Sequence, residues 1–206
     1  MRKHFSHSKI TFEPQSMPRR HSFFQRFRST GKLPVLEDLP PPKKKLLLDL
    51  DETLVHHSTF PAHSEIEFFT LPPNDYIYLR PGVREFLTSV MEDFEVFIFT
   101  ASLPQYANTI MNELFPAIDQ EHRICRDKFK VKKNVIKKDI KLLNCSLESV
   151  IIVDNSHSVY NDYPSNTIPI TTWNGVPHDS ELNGKILPIL MRCKEVSDVR
   201  VVISCL

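Results

Sequence analysis

Leu46–Val55 runs LLLDLDETLV: three leucines feed two aspartates one residue apart, with a threonine two positions beyond. Strand side chains alternate faces with a period of two, so a strand over Leu46–Leu50 starts Asp49 and Asp51 on the same side. A run apolar on both faces suits a buried strand of a parallel sheet. In such sheets ligands bind just beyond the carboxyl ends of the strands, where both carboxylates fall. The segment predicts a shared acidic site at a sheet rim.

Two later apolar runs end in the same manner. Val96–Phe99 is followed by Thr100, and Val150–Val153 by Asp154-Asn155. Parallel strands ending at one rim would gather Asp49, Asp51, Thr100, Asp154 and Asn155 in one cleft. Between them, helical spacing puts Val83, Phe86, Leu87, Val90 and Met91 on one face of a helix over Gly82–Met91, after Arg80-Pro81-Gly82. A second helix, Pro104–Leu114, turns Ala107, Ile110, Met111 and Leu114 inward and has Pro104 in its first turn. Further along, a helix is expected through Ile140–Leu147 and a fourth strand over Thr167–Thr171. A last helix is expected over Ser180–Cys193, with Ser180 as N-cap and Pro188 kinking or shortening it. Strands alternating with helices predict an α/β fold with a mainly parallel central sheet flanked by helices.

His56–Tyr78 interrupts this alternation directly after the first strand. Ile66–Phe69 and Tyr76–Leu79 are expected to pair as a short hairpin around Leu71-Pro72-Pro73-Asn74-Asp75, since Pro, Asn and Asp favour turns. This small β insert would stand beside the site as a substrate wall. Phe60, Phe68, Phe69, Tyr76, Tyr78, Leu103 and Tyr106 either frame an apolar groove or make the insert's own core. His56, His57 and His63 match no common metal spacing and read as loop histidines. From Phe115 to Lys138 the sequence turns basic, HRICRDKFKVKKNVIKK, a solvated face from which Arg126 and one lysine could attract an anion.

The charge is unevenly spread. Before Leu46 there are eleven Lys or Arg residues against three Asp or Glu, so the rest of the chain is acidic. Residues 1–42 are rich in Ser, His and Arg and close on Pro40-Pro41-Pro42. They read as a disordered basic tail, unable to bury enough apolar surface to offset its ordering entropy. Residues 43–206 read as one globular domain. Cys125, Cys145, Cys193 and Cys205 are scattered without a C-x-x-C pair, which argues against a disulfide framework or a zinc site. No apolar stretch reaches the length of a transmembrane helix and no signal peptide is evident, so a soluble nuclear or cytoplasmic protein is expected.

There is no G-x-x-x-x-G-K-[ST] loop to cradle phosphates, and the whole chain has only four glycines. A hard cation such as Mg²⁺ prefers oxygen ligands, which Asp49, a backbone carbonyl and Asn155 could supply. With cation and lysine offsetting charge, Asp49 can attack phosphorus and form an acyl phosphate that water then opens. Asp51 is placed to protonate the leaving oxygen and then to deprotonate the water. Thr100 and a lysine would hold the phosphoryl oxygens.

The three segments D-L-D-E-T-L-V, F-T-A-S-L (Phe99–Leu103) and I-I-V-D-N-S (Ile151–Ser156) resemble those of the small C-terminal-domain phosphatases of the haloacid dehalogenase superfamily, from about Lys44 onward. The resemblance implies a Rossmann-like fold and Mg²⁺-dependent removal of phosphate from phosphoserine or phosphothreonine proteins, the RNA polymerase II C-terminal tail among them. It implies Asp49 as nucleophile and metal ligand, and Asp51 as acid/base with its carbonyl on the metal. It further implies Thr100 on the phosphate, Asn155 on the metal and Asp154 in the metal's water shell. The K-D-[LI] context selects Lys138 over Lys137 as the phosphate lysine. Arg126 falls on the phosphate side, and Leu103, Tyr106 and Phe60 are assigned to peptide binding. No direct nucleic-acid role and no membrane span are expected, and the chain is read as a monomer. Departures lie in the short insert, in His157 where members commonly have proline, and in Thr172-Trp173-Asn174. Two other readings compete: a small-metabolite phosphatase of the same superfamily, which a larger cap would favour, and a phosphopeptide-binding scaffold acting through its basic tail.

Overall fold

The computed structural model describes residues 42–61, 65–132 and 135–206, so all of the expected tail but Pro42, and His63, lie outside them. The regular elements, in chain order, are β1 (Lys45–Leu48), β2 (Val55–Ser58), β3 (Phe68–Leu71), β4 (Asp75–Leu79), α1 (Val83–Asp93), β5 (Glu95–Phe99) and α2 (Pro104–Leu114). Then follow β6 (Arg123–Ile124), β7 (Lys130–Lys132), β8 (Val135–Lys137), β9 (Val150–Asp154), α3 (His157–Asp162), β10 (Thr167–Pro169), α4 (Leu187–Glu195) and α5 (Arg200–Ile203).

The central sheet has the order β10-β9-β1-β5-β6, and all four of its pairings are parallel. In β1, Leu46, Leu47 and Leu48 are fully buried, because the sheet is covered on both faces. Alternate residues supply two separate cores. Leu46, Leu48, Val96, Ile98, Ile151 and Val153 join the inner faces of α1, α2 and α4. Leu47, Phe97, Phe99, Val150 and Ile152 pack with Phe129, Ile140 and Val159 on the other side. The chain leaves β1 for β5 and β6 on one flank and returns to β9 and β10 on the other. β1 is thus the strand at which the direction of winding reverses, and the crevice beyond its carboxyl end is the place for a ligand.

The first strand is shorter than the sequence pattern predicts. It stops at Leu48, since Leu50 is drawn into a turn whose carbonyl accepts from the amides of Leu54 and Val55 at 2.9 and 3.1 Å. Glu52 takes a left-handed conformation, φ 60°, within that turn. The insert is a three-stranded antiparallel sheet, order β2-β4-β3, so the expected hairpin is present with an extra strand alongside. Phe68, Tyr76 and Tyr78 stack on one another there, with ring centroids 5.4 to 6.4 Å apart, and Ile66 and Trp173 complete the cluster. Tyr78 and Trp173 are buried there as a small core of their own, with Tyr76 packed against it, while Phe68 is exposed on its outer side.

Two expectations are corrected. Ile140–Leu147 is not a continuous helix but two short 3₁₀ turns, Ile140–Leu143 and Leu147–Ser149. Asp139 and Ser146 accept hydrogen bonds from the amides of Lys141 and Glu148, and left-handed Asn144 ends the first turn, so local side-chain bonding displaces the helix. The basic stretch after Phe115 is structured, with an edge strand and the β7–β8 hairpin. Phe129 leaves it to meet Phe99 edge-on, centroids 4.9 Å apart, and that contact fixes the hairpin beside the sheet.

The last long helix begins as a π turn, Leu182–Ile186, before α4. Pro188 has no amide hydrogen and its ring would crowd the carbonyl four residues earlier. The wider turn, in which Leu187 donates back to Leu182, makes room for it. The effect of Pro188 is a local widening at the helix start.

Candidate active site

Every strand that ends at this rim contributes a polar side chain. Asp49 follows β1 and is held by its own amide, which donates to the Val153 carbonyl at 3.0 Å. The residue is 6% exposed. The Oδ1 atom accepts from Lys138 Nζ at 2.5 Å, and Oδ2 accepts from Thr53 Oγ1 at 3.1 Å. Lys138 also donates to Asp154 Oδ2 at 2.8 Å, so one ammonium bridges two carboxylates from adjacent strands. The β7–β8 hairpin ends at Lys137, and this delivers Lys138 to the rim while Lys137 turns outward to Asp162. Asp154 accepts in turn from the Ser156 amide at 2.7 Å.

Asp51 has different partners. Its Oδ2 accepts from Ser102 Oγ at 2.6 Å and from Thr100 Oγ1 at 3.3 Å. The strand pleat does not set its direction, as β1 has already ended, yet both aspartates border the same cleft. That cleft, about 300 Å³, is lined by Asp49, Asp51, Thr100, Ser102, Arg126, Lys138, Asp154 and Asn155 among others. Asn155 borders the same cleft. Its Oδ1 is 3.4 Å from Thr53 Oγ1, and its Nδ2 donates to Thr172 Oγ1 at 3.0 Å.

Beyond Asp51 lies a second, more open cavity of about 470 Å³, lined by Glu52, His57, Leu103, Tyr106 and Arg126. Arg126 borders both, its Nε donating to the Ala101 carbonyl at 2.6 Å. The structure thus brings together Asp49, Asp51, Thr100, Lys138, Asp154 and Asn155, with Arg126, Leu103 and Tyr106 adjoining. Phe60 stands apart, 76% exposed in the bend after β2 and lining neither cavity.

The electrostatics follow from burial. Loss of water pushes the Asp49 carboxyl up, Lys138 pulls it back, and the Asp154 charge pushes it up again, to about 6. Burial opposes charge on Lys138, but the Asp49 and Asp154 carboxylates outweigh it and raise the ammonium above its ordinary range. Burial first, and then the Asp51 charge, lift the Tyr106 phenol far above its usual range. The cleft therefore holds a buried carboxylate paired to the Lys138 ammonium, with a second carboxylate at its lip.

Sequence reasoning did not assign Thr53, Ser102 or Thr172. Thr53 and Ser102 lie two residues from Asp51 and Thr100, Thr172 meets Asn155 only in space, and the D-x-D-x-T spacing carried the signal for Thr53. Of the insert histidines that are described, His56 pairs with Glu52 at 2.7 Å and His57 with Asp75 at 2.9 Å. Among the described residues no three His, Cys, Asp or Glu side chains gather as ligands. The oxygen donors at the rim are instead carboxylate, amide and main-chain carbonyl, the set that a small hard cation takes when it keeps several waters.

Residues 44–200 match the family model described as NLI interacting factor-like phosphatase. The chain is 37% identical over 185 residues to a probable C-terminal domain small phosphatase of Dictyostelium discoideum, covering 86% of this chain and 60% of that one. It is 33% identical over 159 residues to the human carboxy-terminal domain RNA polymerase II polypeptide A small phosphatase 1, covering 75% and 60%. It is 31% identical over 180 residues to CTD nuclear envelope phosphatase 1 of Xenopus tropicalis, covering 79% and 72%. Other relatives are longer still, the chain spanning 33% of the CTD small phosphatase-like protein 2 of Dictyostelium discoideum. In fold it is similar to the solved structure of Fcp1, an essential RNA polymerase II CTD phosphatase, with a TM-score of 0.52 at 22% identity, covering 64% of this chain and 42% of that one.

Proposed function

The chain belongs to the NLI interacting factor-like phosphatase family, and from that premise we propose that it is a Mg²⁺-dependent protein serine/threonine phosphatase working through an aspartyl-phosphate on Asp49. The observation that carries this reading is the Asp49–Lys138 pair, 2.5 Å apart and nearly buried, with Asp51 bordering the same cleft. Asp49, the Asp51 carbonyl and Asn155 would hold the cation, with Asp154 reaching it through water. When bound, Mg²⁺ would offset the repulsion between the carboxylates and a phosphate dianion.

Lys138 and Thr100 bind the phosphoryl oxygens, and Lys138 keeps Asp49 aimed at phosphorus. An Asp49 oxygen forms its bond to phosphorus as the serine or threonine oxygen departs, and Asp51 gives that oxygen a proton. Asp51 then takes a proton from the water that opens the acyl phosphate. Arg126, between the two cavities, is suited to a phosphate or to the backbone beside it, and Leu103 and Tyr106 to the residue that follows. The human relative's name points to the polymerase tail as a substrate class, and a nuclear site of action goes with it.

The test is phosphate release from phosphoserine peptides, with and without a proline after the phosphoserine, in Mg²⁺ and in EDTA. Metal-dependent release is expected, faster for the proline peptides. Metal-independent release would overturn the mechanism, and release from sugar phosphates but no peptide would overturn the substrate class.

A further inference from the structure

The reading above gives Asp51 a proton to deliver but leaves open what aims it. Its Oδ2 accepts two hydroxyl hydrogen bonds, the shorter from Ser102 at 2.6 Å. Ser102 is itself fixed at both ends. Its amide donates to Thr100 Oγ1 at 3.0 Å, and its carbonyl accepts from the Arg126 amide at 3.0 Å. The Thr100 amide in turn donates to the Ile124 carbonyl at 3.0 Å, so the segment after β5 is stapled to the strand beside it. A hydroxyl on so constrained a backbone holds a carboxyl group in one orientation.

We infer that Ser102 is the positioning residue for the acid/base Asp51. By donating to Oδ2 it holds the carboxyl group against rotation, alongside the Tyr106 phenol that also bonds to Asp51, and in this orientation Oδ1 carries the proton. This inference rests on the phosphatase reading. In the first half-reaction the bond from Asp49 to phosphorus forms, the bond from phosphorus to the substrate oxygen breaks, and the Oδ1 proton goes to that oxygen. The alcohol leaves neutral and Asp51 is left as carboxylate, with Ser102 bonded to Oδ2 throughout. The role differs from that of Thr100, which faces the phosphate as well, because Ser102 acts only through Asp51.

Such a role has a signature that simple damage to the site lacks. A serine alkoxide is a strong base and leaves badly without a proton, whereas p-nitrophenolate leaves readily. Proton delivery therefore matters to one substrate and hardly to the other. Since kcat/KM reports the steps up to departure of the first product, comparing it for a phosphoserine peptide and for p-nitrophenyl phosphate isolates the acid step from the later use of Asp51 as base.

In the full chain with Mg²⁺, Ser102→Ala is expected to shift the ratio of the two kcat/KM values by about tenfold against the peptide, a fraction of the 10²–10⁴ that a positioned acid supplies. Ser102→Thr, which keeps the hydroxyl, should restore most of the ratio. Equal losses on both substrates, or no change in the ratio, would overturn the inference while leaving the phosphatase reading in place. A wild-type chain that turns over neither substrate would overturn both.

Discussion

Asp49 carries two conflicting demands. As the proposed nucleophile it must be ionised, yet burial raises its carboxyl to about 6, against the pull of Lys138. A carboxyl raised on folding favours the folded state when protonated, so the burden it places on stability is absent below its ordinary value and complete above about 6. Asp49→Asn removes both the nucleophile and the burden. Turnover is expected to fall by at least about 10³-fold, since an amide is a poor nucleophile. In EDTA at pH 8 the same variant should unfold at higher urea than the wild type, an advantage that disappears near pH 4. A variant with substantial activity would remove Asp49 from the mechanism, and one less stable at pH 8 would remove the conflict. The sequence makes this residue conspicuous because an ionisable group at the end of an all-leucine strand has no packing purpose. Thr53 and Ser102 were harder to read, for a hydroxyl in a turn serves local backbone bonding as readily as a carboxylate neighbour.

At the scale of elements, the rim depends on a loop tied down from below. Arg80, 1% exposed, donates from Nη1 to the Thr53 and Thr171 carbonyls at 3.1 and 3.2 Å. Its other nitrogens reach Asp179 at 2.8 Å and Glu181 at 3.0 Å. One guanidinium thus fixes the turn that carries Thr53 and the strand exit that carries Thr172, the two hydroxyls bonded or close to Asn155. Burial raises Asp179 and Glu181, but hydrogen bonds from Arg80 to the first, and from Lys185 and the Thr171 amide to the second, outweigh it and hold both below the usual range. For carboxyls depressed on folding, the stability contribution is present above about pH 4 and lost as the pH falls through their folded values. Arg80→Met should therefore cost about 3–5 kcal/mol near pH 7, the cost of breaking a buried ion pair. Urea unfolding of both proteins from pH 7 down to pH 3 should show that difference narrowing below about pH 4. A constant difference across that range would mean that packing, not charge, is what Arg80 supplies. None of this network was visible beforehand, because Arg80-Pro81-Gly82 reads as a helix opening and Asp179 and Glu181 lie a hundred residues away. Periodic elements were legible: the bounds of β5 and α2 agree with their apolar spacing. Short elements stabilised by single side chains, such as the 3₁₀ turns after Lys138, have no period to read.

For the whole molecule, what sequence conveyed best was the topology, and the site follows from it. Three strands each running into a polar residue can bring those residues to one rim only if they run parallel and adjacent, as β9, β1 and β5 do. All of the basic tail, residues 1–42, except Pro42 lies outside the described residues, and the charge contrast with the acidic remainder stands as a property of the sequence alone. The arrangement of oxygen donors at the rim makes a prediction that needs no turnover. A cation that binds the folded chain and not the unfolded one stabilises it by mass action, about 2.7 kcal/mol when present at a hundred times its dissociation constant. For a domain of this size that corresponds to a rise in Tm of roughly 5–10 °C. Calorimetry in EDTA and in saturating Mg²⁺ should show such a rise for the wild type. Asn155→Ala should lose most of the rise, because the amide is the neutral donor from β9 and no other side chain at the rim replaces it. Asn155→Asp should retain it, since a carboxylate oxygen takes the same position. Equal rises in the wild type and Asn155→Ala would place the cation away from this cleft, and no rise in any of the three would show that the rim takes no cation in the free chain.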